Sequence, residues 1–426
     1  MAGSPGVAGT LAGLAERFLG APLPVRLRGW DGSVAGPRGA PVLVIRSKRA
    51  LRRLLWEPNE LGLARAYVSG DIDVDGDLKD GLSRLWRLVR QTGIPRPRVP
   101  VATRLGLLSA ALRFGALGRP PDPPTQEIRL SGTNRATNAR HRTLPTGFYR
   151  TLLDPTMAYS CGYWVSDDPG YTVADAQRDK LDLICRKLDL LPGMRLLDVG
   201  CGWGSLLVHA AVNYGVRAIG VTLSAQQRDF VAALIAQRGL GDRVEVHLRD
   251  YREIGGGDFD AIGSIEMGEH RGPADYPAYA AQLFRLLKPE GRVLVQQASR
   301  MSRSPREAGH GSFVDRYAVP KTHVRPVAET IAALAGSGLE VRDVESLREH
   351  YGWTVDAWAR TLDERAERFV ELIGGERLRV GRLYLAGVAL LFQENRMGVD
   401  QVLAVRPSAD GVSGMPRTRL DWAAVG

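Results

Sequence analysis

Cysteine is scarce in this chain: three thiols, Cys161, Cys185 and Cys201, among 426 residues. That number cannot build a disulfide framework, and the lack of paired CxxC spacing argues against structural zinc. No metal is expected. Long apolar runs are also missing; none approaches the ~18 residues of a membrane span. The first twenty residues, MAGSPGVAGTLAGLAERFLG, lack the early positive charges of a secretory signal and carry Glu16 in their apolar part. The expected location is therefore cytoplasmic. Acidic residues are in deficit, 47 Asp and Glu against 57 Lys and Arg, for a net charge of +10. Such an excess calls for an anionic partner. No compact nucleic-acid motif accompanies it, so an anionic membrane surface is favoured and no nucleic acid is expected. The acidic stretch GDIDVDGD at 70–77 lacks the twelve-residue ligand spacing and terminal Glu of a calcium loop. It reads as a solvated turn.

What is present is an ordinary globular composition, 44% apolar and 24% charged. The length exceeds one typical core, so more than one domain is expected. Residues 1–93 read as a small α+β domain. Leu11, Leu14, Phe18 and Leu19 share a helical face, 25–44 is β-like, and helices follow at 47–56, 61–69 and 78–91. Residues 94–125 read as a basic, Pro-rich linker. It holds an amphipathic or apolar helix at 101–117 with Arg104 and Arg113, expected to touch a membrane or to pack on the domain that follows. From 126 to 405 strand and helix patterns alternate. A long helix at 174–191 precedes strands at 195–199, 218–222, 244–248, 261–266 and 292–298. A helical insert covers 326–376 and a late strand 388–394. Such alternation predicts a parallel sheet with helices on both faces. Residues 406–426 read as a loose tail.

The stretch that organises the large domain is LLDVGCGWG at 196–204. An apolar run ends in Gly200, Gly202 and Gly204, and a helical pattern follows. Glycine is needed where a backbone turns sharply and lies close to a ligand. A dinucleotide loop would read GxGxxG with an acid about 20 residues on. Here the spacing is GxGxG and the next strand ends in Thr222. With Asp198 two residues before the first glycine, this resembles the S-adenosylmethionine (SAM) loop of Rossmann-like, class I methyltransferases. The expected fold is accordingly α/β, a seven-stranded, mostly parallel sheet with a small α+β N-terminal domain.

Further motifs sharpen the reading. LLDPTMAYSCGYW at 152–164, KLDLICRKLDLLPGMRLLDVGCGWG at 180–204 and GVTLSAQQ at 220–227 resemble the cyclopropane-fatty-acid synthase family over 135–395. The N-terminal WDGS at 30–33 and ELGLARAYVSGDIDV at 60–74 are similar to that family's small domain. The likeness is strongest to the actinobacterial branch making mid-chain methyl-branched, tuberculostearic-type fatty acids. The resemblance implies an enzyme that uses SAM to methylate the cis double bond of a phospholipid acyl chain.

It also implies residue roles. Tyr159 and Ser160 match the family's SAM-contacting pair, and Gly200, Gly202 and Gly204 the loop under the methionine part. Thr222, Leu223 and Gln227 match TLSxxQ at the ribose, while Asp250 and Tyr251 fall where adenine binds. Around the reacting centre the family holds bicarbonate as base between a Cys, a Glu, a His and a Tyr. Cys161, Glu269 and Tyr351 match three of these. The His is replaced by Gln296, the Gly just before the Glu motif by Glu266, and an upstream His-His pair by Arg140-His141. Methyl transfer to an alkene leaves a carbocation, and the base decides which proton goes. Loss from the new methyl closes a cyclopropane; loss from the adjacent chain carbon leaves a methylene that a reductase converts to a methyl branch. The altered cradle predicts the methylene, with Glu269, alone or with Glu266 and a bound ion, as base. Cyclopropanation is the alternative. Trp353, Trp358, Phe369, Leu372, Phe313 and Tyr317 are candidates for an acyl slot or for plain core. Self-association, an anionic membrane bearing the unsaturated phospholipid at its inner face, and a flavin- or NADPH-dependent reductase are the implied partners.

Overall fold

The structure is a computed structural model that describes residues 5–92, 100–124, 144–301, 313–318 and 322–418. Two compact units divide it, one formed by 1–145, 308–320 and 359–390, the other by 146–307, 321–358 and 391–426.

In the first unit, α1 (Val7–Leu19) buries Val7, Ala8, Leu11 and Leu14 and stops at Gly20 in the left-handed region. Strands β1 (Arg26–Arg28), β2 (Val34–Ala35) and β3 (Val42–Ile45) lead to α2 (Lys48–Trp56) and α3 (Glu60–Val68). After β4 (Ile72–Asp75) come α4 (Leu78–Gln91) and α5 (Val101–Arg113). The sheet order is β2-β1-β3-β4. Side chains of Ser47, Asn59 and Asp77 cap α2, α3 and α4, satisfying backbone donors at each start. The stretch expected as a linker holds a core element instead: Leu107, Ala110, Ala111 and Ala116 pack with Leu14 and Leu51. Small residues along one side of α5 allow that close approach. A Cβ on Gly106 would lie 2.3 Å from Leu14.

The second unit begins with α6 (Thr146–Leu152) and α7 (Val173–Lys187), the latter opened by a reciprocal Thr172–Asp175 capping box. Then β5 (Arg195–Val199), α8 (Ser205–Asn213), β6 (Arg217–Thr222), α9 (Ala225–Gln237), β7 (Val244–Leu248) and β8 (Phe259–Ile265) alternate. α10 (Tyr276–Leu286), β9 (Leu287–Arg300), α11 (Val327–Gly336) and β10 (Glu340–Ser346) follow. The sheet order is β10-β11-β9-β8-β5-β6-β7, where β11 is Met397–Val405. β11 runs antiparallel to both of its neighbours, β9 and β10, and the other pairings are parallel. Apolar clusters cover both faces, as the near-continuous hydrophobic strands require. The chain runs from β5 outward through β6 and β7, then returns to β8 on the other side of β5. Ligands bind beyond the carboxyl ends of strands at such a reversal.

Helices α12 (Arg348–Glu364), α13 (Ala366–Ile373) and α14 (Gly375–Gln393) precede the last strand. Two expectations are corrected here. The apolar run 388–394 is the end of α14, not a strand; the late strand is β11. The insert 326–376 contains the strand β10. Residues 359–390 also group with the N-terminal unit rather than with the large domain. Inside that unit the Arg379 guanidinium donates to the Tyr67 and Ile72 carbonyls at 2.6 and 2.7 Å and lies 4.2 Å over the Tyr67 ring.

Candidate active site

The turn after β5 shows why its sequence is rich in glycine. Gly200, Gly202 and Gly204 have φ of 82°, 51° and 84°, a region that favours glycine. The N–H groups of Gly200 and Cys201 both donate to the Val221 carbonyl at 3.0 Å, tying the turn to β6. Gly204 is the N-cap of α8 and offers no side chain to its first N–H groups. Those donors, with the positive end of the helix, suit an anionic ligand group. A Cβ at Gly202 would meet nothing within 4 Å, so the space over the turn is open.

The other expected cofactor residues gather at the same edge with different degrees of freedom. Asp198, at the end of β5, is buried, and burial pushes its carboxyl up to about 7 against the pull of Lys180. Thr222 ends β6 and donates its hydroxyl to Gln227 Oε1 at 2.8 Å. Leu223 is exposed. Tyr159 is half-exposed and sets its ring against Tyr149 and Trp358. Ser160 is buried, its Oγ accepting from Lys180 Nζ at 2.9 Å and its carbonyl from Gln177 at 2.7 Å. The side chain of Asp250 is held by Arg252 through Nε at 2.9 Å and Nη2 at 2.7 Å, which lowers its pKa. Tyr251 is core, edge-on to Tyr279.

β8 lies beside β5 and delivers the second group. Glu266 follows its last residue with φ of 53°, a left-handed backbone where a Cβ is strained and glycine is comfortable. The residue is half-buried, and its carboxylate is held by three donors. Oε1 accepts from the Cys161 N–H at 2.8 Å and from Gln296 Nε2 at 3.2 Å; Oε2 accepts from the Tyr351 hydroxyl at 2.6 Å. The Gln296 amide is held in that sense by Gln401, which donates to its Oε1 at 3.0 Å. Burial raises the Glu266 pKa, and the three donors and Lys180 work against that rise. Glu269, on the short turn Gly268–His270, accepts one backbone donor, Ala298 N–H at 2.5 Å. Burial and the adjacent Glu266 charge push it up to about 8. Of two close carboxyls, the one with three donors keeps the negative charge and Glu269 keeps a proton near neutrality.

Cys161, Glu266, Tyr351 and Gln296 are thus in direct hydrogen-bonded contact, with Glu269 coupled to them through charge. The Cys161 thiol itself is fully buried, donates to the Gly162 carbonyl at 3.2 Å, and is pushed well above its ordinary pKa by burial. It is the backbone N–H of Cys161, not its thiol, that meets Glu266. His141 lies outside the described residues. Trp358 is buried, its indole N–H has no hydrogen-bond partner among the described residues, and its ring lies against Tyr159 and Tyr351, which keeps it a candidate to line a ligand. Trp353 is half-exposed, and Leu372 is half-buried. Phe313 and Tyr317 stack on each other in the core of the first unit with Tyr67, and Phe369 is fully buried there.

Two residues escaped sequence reasoning. Lys180, buried in α7, acts electrostatically on Glu266, Asp154 and Asp198 together. Its signal was a lysine directly beside Leu181, on the helix's apolar side. Thr354, fully buried, accepts from Gly162 N–H and from the Trp164 indole, both at 3.0 Å, and so pins the YSCGYW segment. A threonine within an aromatic helix carries no distinguishing pattern.

A glycine cradle at the reversal of a seven-stranded, mostly parallel sheet defines a SAM-dependent methyltransferase. Residues 131–402 match the family model of mycolic acid cyclopropane synthetase, and the chain belongs to that family. It is 34% identical over 404 residues to a probable fatty acid methyltransferase of Pseudomonas putida, covering 94% of this chain and 96% of that protein. It is 29% identical over 415 residues to the tuberculostearic acid methyltransferase UfaA1 of Mycobacterium tuberculosis, covering 94% and 92%. The crystal structure of mycolic acid cyclopropane synthase CmaA1 complexed with SAH and CTAB superposes with a TM-score of 0.57 at 31% identity. It covers 62% of this chain and 95% of that one. The chain is a SAM-dependent lipid methyltransferase, and SAM is its cofactor. Among the described residues no helix is long and apolar enough to cross a membrane.

Proposed function

We propose that this enzyme methylates the cis double bond of an unsaturated, oleoyl-type phospholipid acyl chain and releases a mid-chain methylene lipid, with Glu266 as the base. The observation that carries the reading is the Glu266 carboxylate, fixed by the Cys161 N–H, the Tyr351 hydroxyl and the Gln296 amide. SAM supplies an electrophilic methyl group when bound. Gly200, Gly202, Gly204, Asp198 and Thr222 would hold it. The alkene π pair would form the new carbon–methyl bond as the sulfur–methyl bond breaks and S-adenosylhomocysteine leaves with that pair, so that a cation is left on the neighbouring chain carbon. Glu266, an anion in a low-dielectric site, stabilises that charge and accepts the proton whose C–H pair forms the new double bond. Glu269, protonated near neutrality, does not compete as base. Gln296 cannot take up a proton, so it orients Glu266 and does no acid–base work.

A carboxylate fixed to the backbone approaches the substrate from one direction, unlike a small diffusible ion. That supports loss from the chain carbon over loss from the new methyl. We propose that Glu266 takes the role the family gives bicarbonate. The methylene product calls for a reductase partner to give a methyl branch, and the self-association implied by the family is proposed alongside it. The test is incubation with SAM and dioleoyl phospholipid, followed by hydrogenation of the product. Both candidate products gain the same mass, but only the methylene takes up hydrogen to give a methyl branch. A ring that survives hydrogenation would replace this reading with cyclopropanation.

A further inference from the structure

Helix α5 is built the wrong way round for a surface helix. The side it buries in the N-terminal core is made of small residues and one leucine: Gly106, Leu107, Ala110 and Ala111. The opposite side carries the larger aliphatics. Val101, Leu105, Leu108 and Leu112 recur at intervals of four, three and four, so they form one stripe. They are 73%, 60%, 40% and 60% exposed. Leu117, just beyond the helix, is 43% exposed. Trp56, at the end of α2, is 59% exposed with its indole N–H donating to the Gly118 carbonyl at 3.0 Å. A row of exposed aliphatics on a folded domain marks an interaction site.

The charge around the stripe says which kind. There is no acidic residue between 101 and 121, where Arg104, Arg113 and Arg119 stand, nor between 46 and 56 in α2. α2 is fastened to the end of α5, with Arg52 donating to the Ala116 carbonyl at 3.1 Å. Among the described residues no carboxylate pairs with Lys48, Arg52, Arg104, Arg113 or Arg119. An apolar strip flanked by cations, with a tryptophan whose polar edge is satisfied, matches the acyl–headgroup boundary of an anionic bilayer. A second copy fits less well, because a twofold contact along the stripe would set arginines against arginines.

We infer that the outer face of α5, with the adjoining end of α2, docks the enzyme on an anionic phospholipid surface. This names the membrane partner of the function proposed above and rests on that reading for its purpose, but its test does not involve catalysis. Full-length protein without SAM is sedimented with vesicles of phosphatidylcholine alone or mixed with phosphatidylglycerol. The wild type is expected to prefer the mixed vesicles and to lose that preference at high salt. Leu105→Glu/Leu112→Glu is expected to lower partition at least tenfold on both kinds. Arg104→Glu/Arg119→Glu is expected to lower it on mixed vesicles only, by about fivefold or more per residue. Unchanged thermal melting shows that these solvent-facing variants fold. Unchanged partition of both variants would overturn the inference. So would a wild-type dimer that Leu105→Glu/Leu112→Glu converts to monomer with vesicle binding intact. Methyl transfer to detergent-dispersed oleoyl lipid, read in parallel, separates loss of docking from failure of the catalytic reading.

Discussion

Glu266 combines two unfavourable features, a desolvated carboxylate on a half-buried residue and a left-handed backbone. Strain of this kind persists only where the surroundings over-determine it, and it clusters at functional sites. Three consequences follow for single residues. Glu266→Gln keeps the shape but removes the base; kcat is expected to fall by about 10²–10⁴ with SAM affinity unchanged, measured by turnover and calorimetry. Glu266→Gly relieves the backbone strain and frees the three donors. Added bicarbonate or formate is then expected to restore part of the lost rate in a concentration-dependent manner, with bicarbonate shifting product toward cyclopropane. No rescue at any concentration would count against Glu266 as the base. Tyr351→Phe removes one of the three donors and is expected to slow turnover less than Glu266→Gln does.

At the scale of elements, the site depends on what β5, α7 and β8 bring to one edge. Gly202→Ala places a Cβ in open space but at φ of 51°, so its cost to folding is about 1 kcal/mol of backbone strain. The new methyl would point into the space over the turn. SAM affinity is expected to drop at least tenfold while melting shifts by only a few degrees. Lys180 couples the three elements through charge: it faces Asp198 of β5, Glu266 after β8, and Asp154. Lys180→Met strands those carboxylates in the interior, at a cost of about 3–5 kcal/mol. The cost is expected to shrink when Glu266→Gln is present, because one stranded charge is gone. A double-mutant cycle on chemical denaturation reads this coupling.

At the scale of the whole molecule, two buried acids give stability a pH dependence around neutrality. Glu269 is raised from 4.5 to about 8 and Asp198 from 3.8 to about 7, both chiefly by burial. Between those values the folded chain binds more protons than the unfolded one. Their contribution to stability is therefore fullest below the unfolded values and declines as pH rises toward 8. The melting temperature of the ligand-free enzyme is expected to fall from pH 5 to pH 8.5, and Glu269→Gln to flatten that fall. A slope of the opposite sign would remove Glu269 as a buried, proton-holding group.

Much of this protein is written locally. The period of apolar residues and the glycines at 200, 202 and 204 specify strand, turn and helix without reference to the rest of the chain, because φ and side-chain alternation are local properties. The charge excess and the apolar helix, read at 101–117 and folded as 101–113, are equally legible there. What period alone does not separate is a short buried strand from a buried helix, which is why 388–394 reads as a strand and folds as the end of α14. The tertiary structure alone decided that α5 turns its small residues and Leu107 inward and its other leucines outward. It alone brought a carboxylate at 266 to an N–H at 161, a hydroxyl at 351 and an amide at 296. The reason is physical: a desolvated charge needs donors in three dimensions, and the sheet's crossover connections, not neighbours in the chain, supply them.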